Sequence, residues 1–461
     1  MQLFLLNKDL SLNKLDEYYP RVLIVGAHFT EKSGSGTYLG RLFSNWPIDR
    51  LATVSGSTLS LDWRRCSRHY KTGDHEFRLK APFTWFVPPR FSGAIFPSSF
   101  DDDTLALLTP SKSLNHRITQ YLWRLLLRVL GGGEILYVIG LSPQLIEWVR
   151  MFQPEVIYGH FSSLNSLRFL HRMQIALGIP LVLHFMDDFP QALYQNHFAH
   201  YYLRLLYLSE FVKLVHSADV TIAISQEMAE EYQKRYRRHV ISLPMPVEMD
   251  AYRNEVRTQW TTMGQTFRIR YGGRVGWAIR ESLADLAIAV QFLRHEGANV
   301  EFDLVTFQTE QLPSACLGLS GVNVLIPGCL DDLPRLQAEA DLLVICYDFD
   351  SVSYREARYS MPSKMGDCMA SGTPILVYGP AGLPVVEYAR REGWGKVVDR
   401  REPAALRSAI YELMESASLR EKLGKKAVLI ASERHCASKV SKSFRTILQG
   451  AINGDSCIST P

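Results

Sequence analysis

Seven cysteines in 461 residues, none in a Cys-x-x-Cys pair, supply neither a disulfide framework nor the ligand spacing of a structural zinc site. Cys66, Cys316, Cys329, Cys346, Cys368, Cys436 and Cys457 are scattered and odd in number, as expected of a reducing, cytoplasmic compartment. No apolar run approaches the roughly eighteen residues of a membrane span. Lys8 and Asp9 interrupt the short apolar start where a signal peptide would continue, so a soluble or peripheral protein is the expectation. Charge of one sign is missing too: 51 basic against 47 acidic residues leave a formal +4. That is far from a dedicated nucleic-acid binder, and nucleic acid is not an expected partner; a local basic face toward phosphates or anionic lipid stays open.

What the chain has is an apolar share of 47%, enough for real cores, and a length that predicts two or three domains. Short runs of Val, Ile and Leu alternate with longer amphipathic segments, the pattern of βα units around buried parallel strands. In the first half these runs are "RVLIVGA" (21–27), "EVIYGH" (155–160), "LVLHFM" (181–186), "DVTIAI" (219–224) and "VISLP" (240–244). In the second they are "FRIRYGG" (267–273), "EFDLVT" (301–306), "NVLIPG" (323–328), "DLLVIC" (341–346) and "PILVYG" (374–379). Two doubly wound domains are predicted, residues 1–250 and 267–430, with a polar linker at 251–266 and a helical segment at 431–461 crossing back to the first domain. Residues 60–115, aromatic and proline-rich without period, read as a long insertion on the first domain.

In open α/β sheets ligands bind beyond the carboxyl ends of the strands, where helix N-termini favour anions. "PSKMGDCMASGTPILVYGP" (362–380) follows such a strand. Pro362 is expected at the first helical position, with the N–H groups of Ser363 and Lys364 facing the crevice and the Ser363 hydroxyl and Lys364 ammonium completing a phosphate site. Asp367, one turn on, shares the face of Lys364 and suits a sugar diol; an ordinary helix with a surface Lys-Asp pair is the alternative. After the first strand, "GAHFTEKSGSGTYLG" (26–40) fits neither of the two familiar glycine-rich phosphate motifs. Its Gly34 and Gly36 are able to take positive φ and bring backbone N–H groups to an anion, unless the stretch is a plain βα turn.

"ADLLVICYDF" with "PSKMGDCMASGTPILVYGPAGLPVVEYARREGWGKVV" resembles the donor-binding half of the GT-B glycosyltransferases. The resemblance is to the large retaining family of capsule, O-antigen and exopolysaccharide transferases, in its Pro-Ser-Lys subgroup. "FRIRYGGRVGWAIRESLADLAIAVQFL", "SADVTIAISQEM" and "IPLVLHFMDDFP" extend it over most of the chain outside the 60–115 insertion. It implies two Rossmann-like domains facing each other across a cleft, and transfer of a hexosyl group from a nucleotide-diphosphate sugar to an acceptor hydroxyl with configuration retained. Gly273, Arg274 and Arg280 would hold the donor diphosphate with Ser363 and Lys364. Asp367 takes the place of a glutamate that contacts the ribose. Tyr359 stands where an earlier glutamate is usual, and Asp348, Asp350 and Glu356 lie in a loop of different length. The loop of Gly34 and Gly36 would touch donor phosphate or acceptor. His184 would sit near the acceptor and the transferred sugar, with His160 and Asp187 on the acceptor side.

No metal or cofactor is implied, and the partners are the sugar donor and a saccharide or lipid-linked acceptor. A nucleotide-sugar epimerase of similar fold, a phosphorylase, or a non-catalytic nucleotide-sugar-binding protein are the competing readings. Residues 116–130, "HRITQYLWRLLLRVL", place apolar residues at helical spacing beside Arg117, Arg124 and Arg128. Either they pack on the first sheet or, with Phe83, Trp85, Phe86 and Phe91 nearby, they lie in an anionic membrane surface on its inner face.

Overall fold

The computed structural model describes residues 18–31, 33–57, 60–81, 83–86, 89–97, 134–195, 200–262, 266–276, 278–328 and 332–455. Residues 116–130, and the side chains of Trp85 and Phe86, lie outside them.

The first domain is built on an eight-stranded sheet. Its strands are β1 (Val22–Val25), β2 (Leu51–Ser55), β3 (His69–Lys71), β5 (Gly93–Ile95), β7 (Val156–Gly159), β8 (Leu181–Phe185), β9 (Val220–Ala223) and β10 (Ile241–Ser242). Their order is β10-β9-β8-β7-β1-β2-β3-β5, parallel except for β5 against β3. A separate antiparallel pair joins β4 (Phe77–Leu79) to β6 (Tyr137–Ile139). The stretch expected as an irregular insertion therefore supplies β3, β4 and β5, two of which extend the main sheet. β1, β7, β8 and β9 are buried along their whole length because helices cover both faces, which is why they read as unbroken aliphatic runs. Helices of this domain include α1 (Gly34–Leu42), α2 (Leu164–Leu177) and α3 (His200–Ser217).

The second domain carries a six-stranded parallel sheet in the order β13-β12-β11-β14-β15-β16. These are β11 (Phe267–Gly272), β12 (Val300–Val305), β13 (Val322–Leu325), β14 (Leu342–Cys346), β15 (Ile375–Tyr378) and β16 (Lys396–Val398). Its helices include α4 (Arg280–His295), α5 (Ser351–Ala357) and α6 (Met365–Ala370). The linker is anchored on this domain: Arg257 meets Asp341 in a buried ion pair at 2.8 Å. The chain then returns, and α7 (Ala437–Asn453) packs on the first domain, Phe444 lying edge-on to Phe43 at 5.1 Å. The two crossings touch where Val247 bridges Cys436 in parallel, and both buried ring nitrogens of His435 are engaged there, with Met245 O at 2.8 Å and Tyr388 Oη at 3.0 Å.

Candidate active site at the interdomain cleft

The strand β11 ends in a turn that only glycine fits easily, Gly273 having φ +140°. Tyr271 donates from its hydroxyl to Arg274 O at 2.5 Å, and Val275 N donates to Gln308 Oε1 at 2.9 Å, which ties the turn to the end of β12. Lys364 lies beneath it, Nζ 3.5 Å from the centroid of the Tyr271 ring. A Cβ built on Gly273 would come within 3.6 Å of Lys364 Cδ and 3.7 Å of Nζ, so the glycine keeps that side of the ammonium clear. Burial pushes the Lys364 ammonium below its ordinary pKa, partly offset by the nearby thiols of Cys346 and Cys368. Among the described residues no carboxylate pairs with it, and Arg274 and Arg280, both exposed, form no ion pair either.

The Pro-Ser-Lys turn is set differently from expectation. The helix begins at Met365, Lys364 being its N-cap residue, and Met365 N donates to Pro362 O at 3.0 Å. Pro362 thus belongs to the preceding turn, and the backbone of Ser363 and Lys364 is outside the helix. Ser363 instead meets the first domain: a Cβ on Gly34 would lie 3.3 Å from its Oγ. Gly34 and Gly36 do not take positive φ; they open α1, where Ser33 caps the helix by accepting from Gly36 N at 3.1 Å. Gly36 is required for packing, since a Cβ there would sit 2.3 Å from Thr30 O.

Asp367 is engaged across the domain boundary. Both carboxylate oxygens accept from Arg41 of α1, at 2.8 and 3.1 Å, joining the two domains through a bidentate pair that is mostly buried. The loop carboxylates have local roles. Asp348 accepts from Ser282 N at 2.7 Å and so caps α4 just after Arg280, while Asp350 caps α5 by accepting from Val352 N and Ser353 N at 2.9 and 3.0 Å. Tyr359, at the place where the family it resembles usually has a glutamate, is buried against the first domain under Arg235, 5.2 Å from its ring.

His184 belongs to the core. It is the fourth residue of a fully buried strand, and its ring is held between Tyr158 Oη at 2.9 Å and Tyr38 Oη at 3.3 Å. Burial, with a smaller contribution from His160, pushes its pKa from 6.5 down to about 3, so the folded protein keeps it neutral. The unfolded chain takes that proton near pH 6.5 and the folded chain only near 3, so the contribution to stability is complete above 6.5 and is lost as pH falls toward 3. A His184→Gln variant, whose amide can keep both tyrosine contacts, is expected to lose less melting temperature than the parent on acidification through that window. Equal losses would mean that the histidine is not buried neutral.

Asp187, past the end of β8, reaches the cleft, and His160, past the end of β7, lies within reach of its charge. Burial lowers the His160 pKa while Asp187 and a bond to the Gly26 backbone oppose the shift. Asp187 accepts from Ser360 Oγ of the second domain at 2.6 Å. The structure therefore brings Gly34, Ser363, Lys364, Gly273 and Arg274 to one part of the cleft and Asp187, with His160 behind it, to another. It withdraws His184, pairs Asp367 with Arg41, and adds Arg41 and Tyr271, neither of which carried a sequence signal of its own.

Residues 104–250 match the family model of Glycosyltransferase Family 4. Over the chain, the fold is similar to HepE of Anabaena in complex with UDP and glucose (TM-score 0.59, 14% identity, 94% of this chain and 100% of that one). It is also similar to sucrose-phosphate synthase of Thermosynechococcus elongatus (TM-score 0.61, 11% identity, 95% and 100%). A third likeness is to WaaG, a glycosyltransferase involved in lipopolysaccharide biosynthesis (TM-score 0.57, 13% identity, 93% and 100%). No curated protein sequence matches the chain. The two facing Rossmann-like domains are those of the GT-B fold.

Proposed function

We propose that this chain is a glycosyltransferase that moves a sugar from a nucleotide-diphosphate donor to an acceptor hydroxyl. The observation that carries the reading is the Lys364 ammonium, held on the Tyr271 ring beside the open Gly273 turn with no carboxylate partner among the described residues. A partly buried cation without an anion is costly unless a ligand supplies the charge, and a diphosphate supplies it. Negative charge grows on that diphosphate as the glycosidic bond breaks. Lys364, Arg274 and Arg280 would meet it with fixed positive charge, Ser363 adding a hydroxyl donor. This design needs no metal.

The uridine nucleotides of the similar HepE structures, one with UDP-glucose, favour UDP as the donor's carrier. In the retaining course, the acceptor hydroxyl approaches the face that the diphosphate leaves, and a phosphate oxygen accepts its proton. His160 and Asp187 then stand on the acceptor side, which suits a saccharide or a lipid-linked sugar in polysaccharide or glycolipid synthesis, with the protein cytoplasmic and peripheral to the membrane. No helix of the described residues is long and apolar enough to cross a membrane.

A thermal-shift screen across UDP-, GDP-, ADP- and TDP-sugars tests the reading. A UDP-sugar is expected to raise the melting temperature most. Arg274→Ala should weaken that shift by about tenfold in donor concentration, the loss of one charged phosphate contact, and sugar transfer should persist in EDTA. No shift with any nucleotide sugar sinks the proposal, and product release without an acceptor would move it to an epimerase.

A further inference from the structure

Two large apolar side chains stand open beside the donor turn, Phe307 at 61% and Ile326 at 68% exposure. They follow the ends of the neighbouring strands β12 and β13, and the ladder runs one residue further, Thr306 N donating to Leu325 O at 3.0 Å, which holds the two segments side by side. Phe307 is at the tip of a turn in which Gln308 N donates to Thr306 Oγ1 at 3.1 Å. That turn leans on the one at Gly273. Gly273 N donates to Val305 O at 3.0 Å, and Gln308 Oε1 accepts from Val275 N at 2.9 Å. Phe307 is therefore held against the turn that carries Arg274 while its side chain is left uncovered, and apolar surface continuous with a polar site marks where part of a ligand lies.

The order of the strands decides which part of a nucleotide sugar reaches it. β11 lies between β12 and β14. On the β14 side stand Lys364 and Ser360, and Ser360 meets Asp187 of the acceptor side. The transferred sugar has to lie toward the acceptor, so the nucleoside leaves the diphosphate the other way, over β12 and β13. Strands are about 5 Å apart, which puts those strand ends about 5 and about 10 Å from the Gly273 turn, within reach of a ribose and its base. Gln308 Oε1 is taken by Val275 N and Thr306 Oγ1 by Gln308 N, so the described residues offer a ligand there an aromatic ring and an aliphatic side chain. A flat heteroaromatic base suits that surface; phosphate and sugar, which need hydrogen bonds, do not.

We propose that Phe307 is the stacking platform for the nucleobase of the donor, with Ile326 at its edge. The inference rests on the donor reading above and deepens it: the diphosphate is held by charge at Lys364 and Arg274, and the base by its face at Phe307. Stacking uses the π-face that every base has, so the platform adds affinity for a nucleotide without choosing among bases. That choice belongs to groups that meet the edge of the base. The other occupant such an apolar pair would suit is a second copy of the chain.

Calorimetric titration of the full chain with UDP and, separately, with inorganic pyrophosphate tests the platform. Phe307→Ala is expected to weaken UDP binding about tenfold or more, the loss of one stacked base, and to leave pyrophosphate binding within about twofold of the parent, because pyrophosphate has no base. Phe307→Tyr keeps the ring and should bind UDP within about threefold of the parent; Phe307→Leu keeps only an apolar side chain and should bind it nearly as weakly as Phe307→Ala. Since the side chain is exposed, all three variants should melt with the parent in the absence of nucleotide. Equal UDP affinity in the parent and in Phe307→Ala or Phe307→Leu overturns the platform and leaves the donor site standing. An equal loss for UDP and pyrophosphate also overturns it, because the change would then act through the turn and not through a base. So does a dimer in solution that Phe307→Ala splits at unchanged UDP affinity. Failure of the parent itself to bind UDP would overturn the donor reading, and the platform with it.

Discussion

Lys364→Ala is expected to lower kcat/KM for the nucleotide-sugar donor by about 100-fold or more, close to 3 kcal/mol of transition-state stabilisation. The same change should leave the melting temperature unchanged or raise it. The two effects have one cause. In the absence of donor, burial disfavours the ammonium's charge, with only the face of the Tyr271 ring 3.5 Å away to offset it and no carboxylate partner among the described residues. Removing it relieves the folded protein of a desolvated cation. With donor bound, the same desolvation strengthens its attraction for the diphosphate, because the interaction acts across protein instead of water. Lys364→Arg should not restore turnover, since a planar guanidinium cannot take the place of a compact ammonium between the Tyr271 ring and the diphosphate without shifting one of them. Steady-state kinetics with the UDP-sugar selected by thermal shift, together with a melting curve, decide the matter. A kcat/KM within about threefold of the parent would remove Lys364 from the donor site.

The strands that were legible in the sequence are those whose surroundings are the same on both sides. β1, β7, β8 and β9 in one sheet and β14 and β15 in the other lie under helices on both faces, so every position must be apolar and the run stands out from its polar neighbours. β2 (LATVS), β3 (HYK) and β5 (GAI) have too few large apolar residues to show a pattern. What makes them strands is pairing with β1 and with each other, which is a matter of distant contacts. The same distinction runs through the site. Gly273, Arg274 and Lys364 are marked locally, by a Gly-Gly pair ending a strand and by Pro-Ser-Lys after another. His184 is inside the strand and Asp187 is the first exposed polar residue past it, so burial of the one and exposure of the other follow from the pattern. Arg41 could not have been found this way. An arginine in a helix looks the same in sequence whether it meets water or a carboxylate 326 residues away.

That pairing gives the second large effect. Asp367→Leu is expected to cost about 2–3 kcal/mol, since it leaves the Arg41 guanidinium mostly buried without its partner; Arg41→Met should cost a similar amount for the converse reason. At about 2–4 °C per kcal/mol for a domain of this size, either change is easily read as a melting temperature. Replacing both, Arg41→Met with Asp367→Leu, removes the two desolvated charges together and should return stability to within about 1 kcal/mol of the parent. The double-mutant cycle would then show a coupling of at least about 1.5 kcal/mol, well beyond the few tenths seen between sites that do not touch. The cycle also separates the two roles open to Asp367. Both of its oxygens already accept from Arg41 in a mostly buried pair, so a ribose diol would have to share the carboxylate with the clasp. Asp367→Asn should therefore lower the melting temperature while moving the donor KM by less than about threefold. If instead the donor KM rose by about tenfold or more at an unchanged melting temperature, the carboxylate would be serving the donor, as the resemblance in sequence implied, and the pair with Arg41 would have to open for each molecule bound.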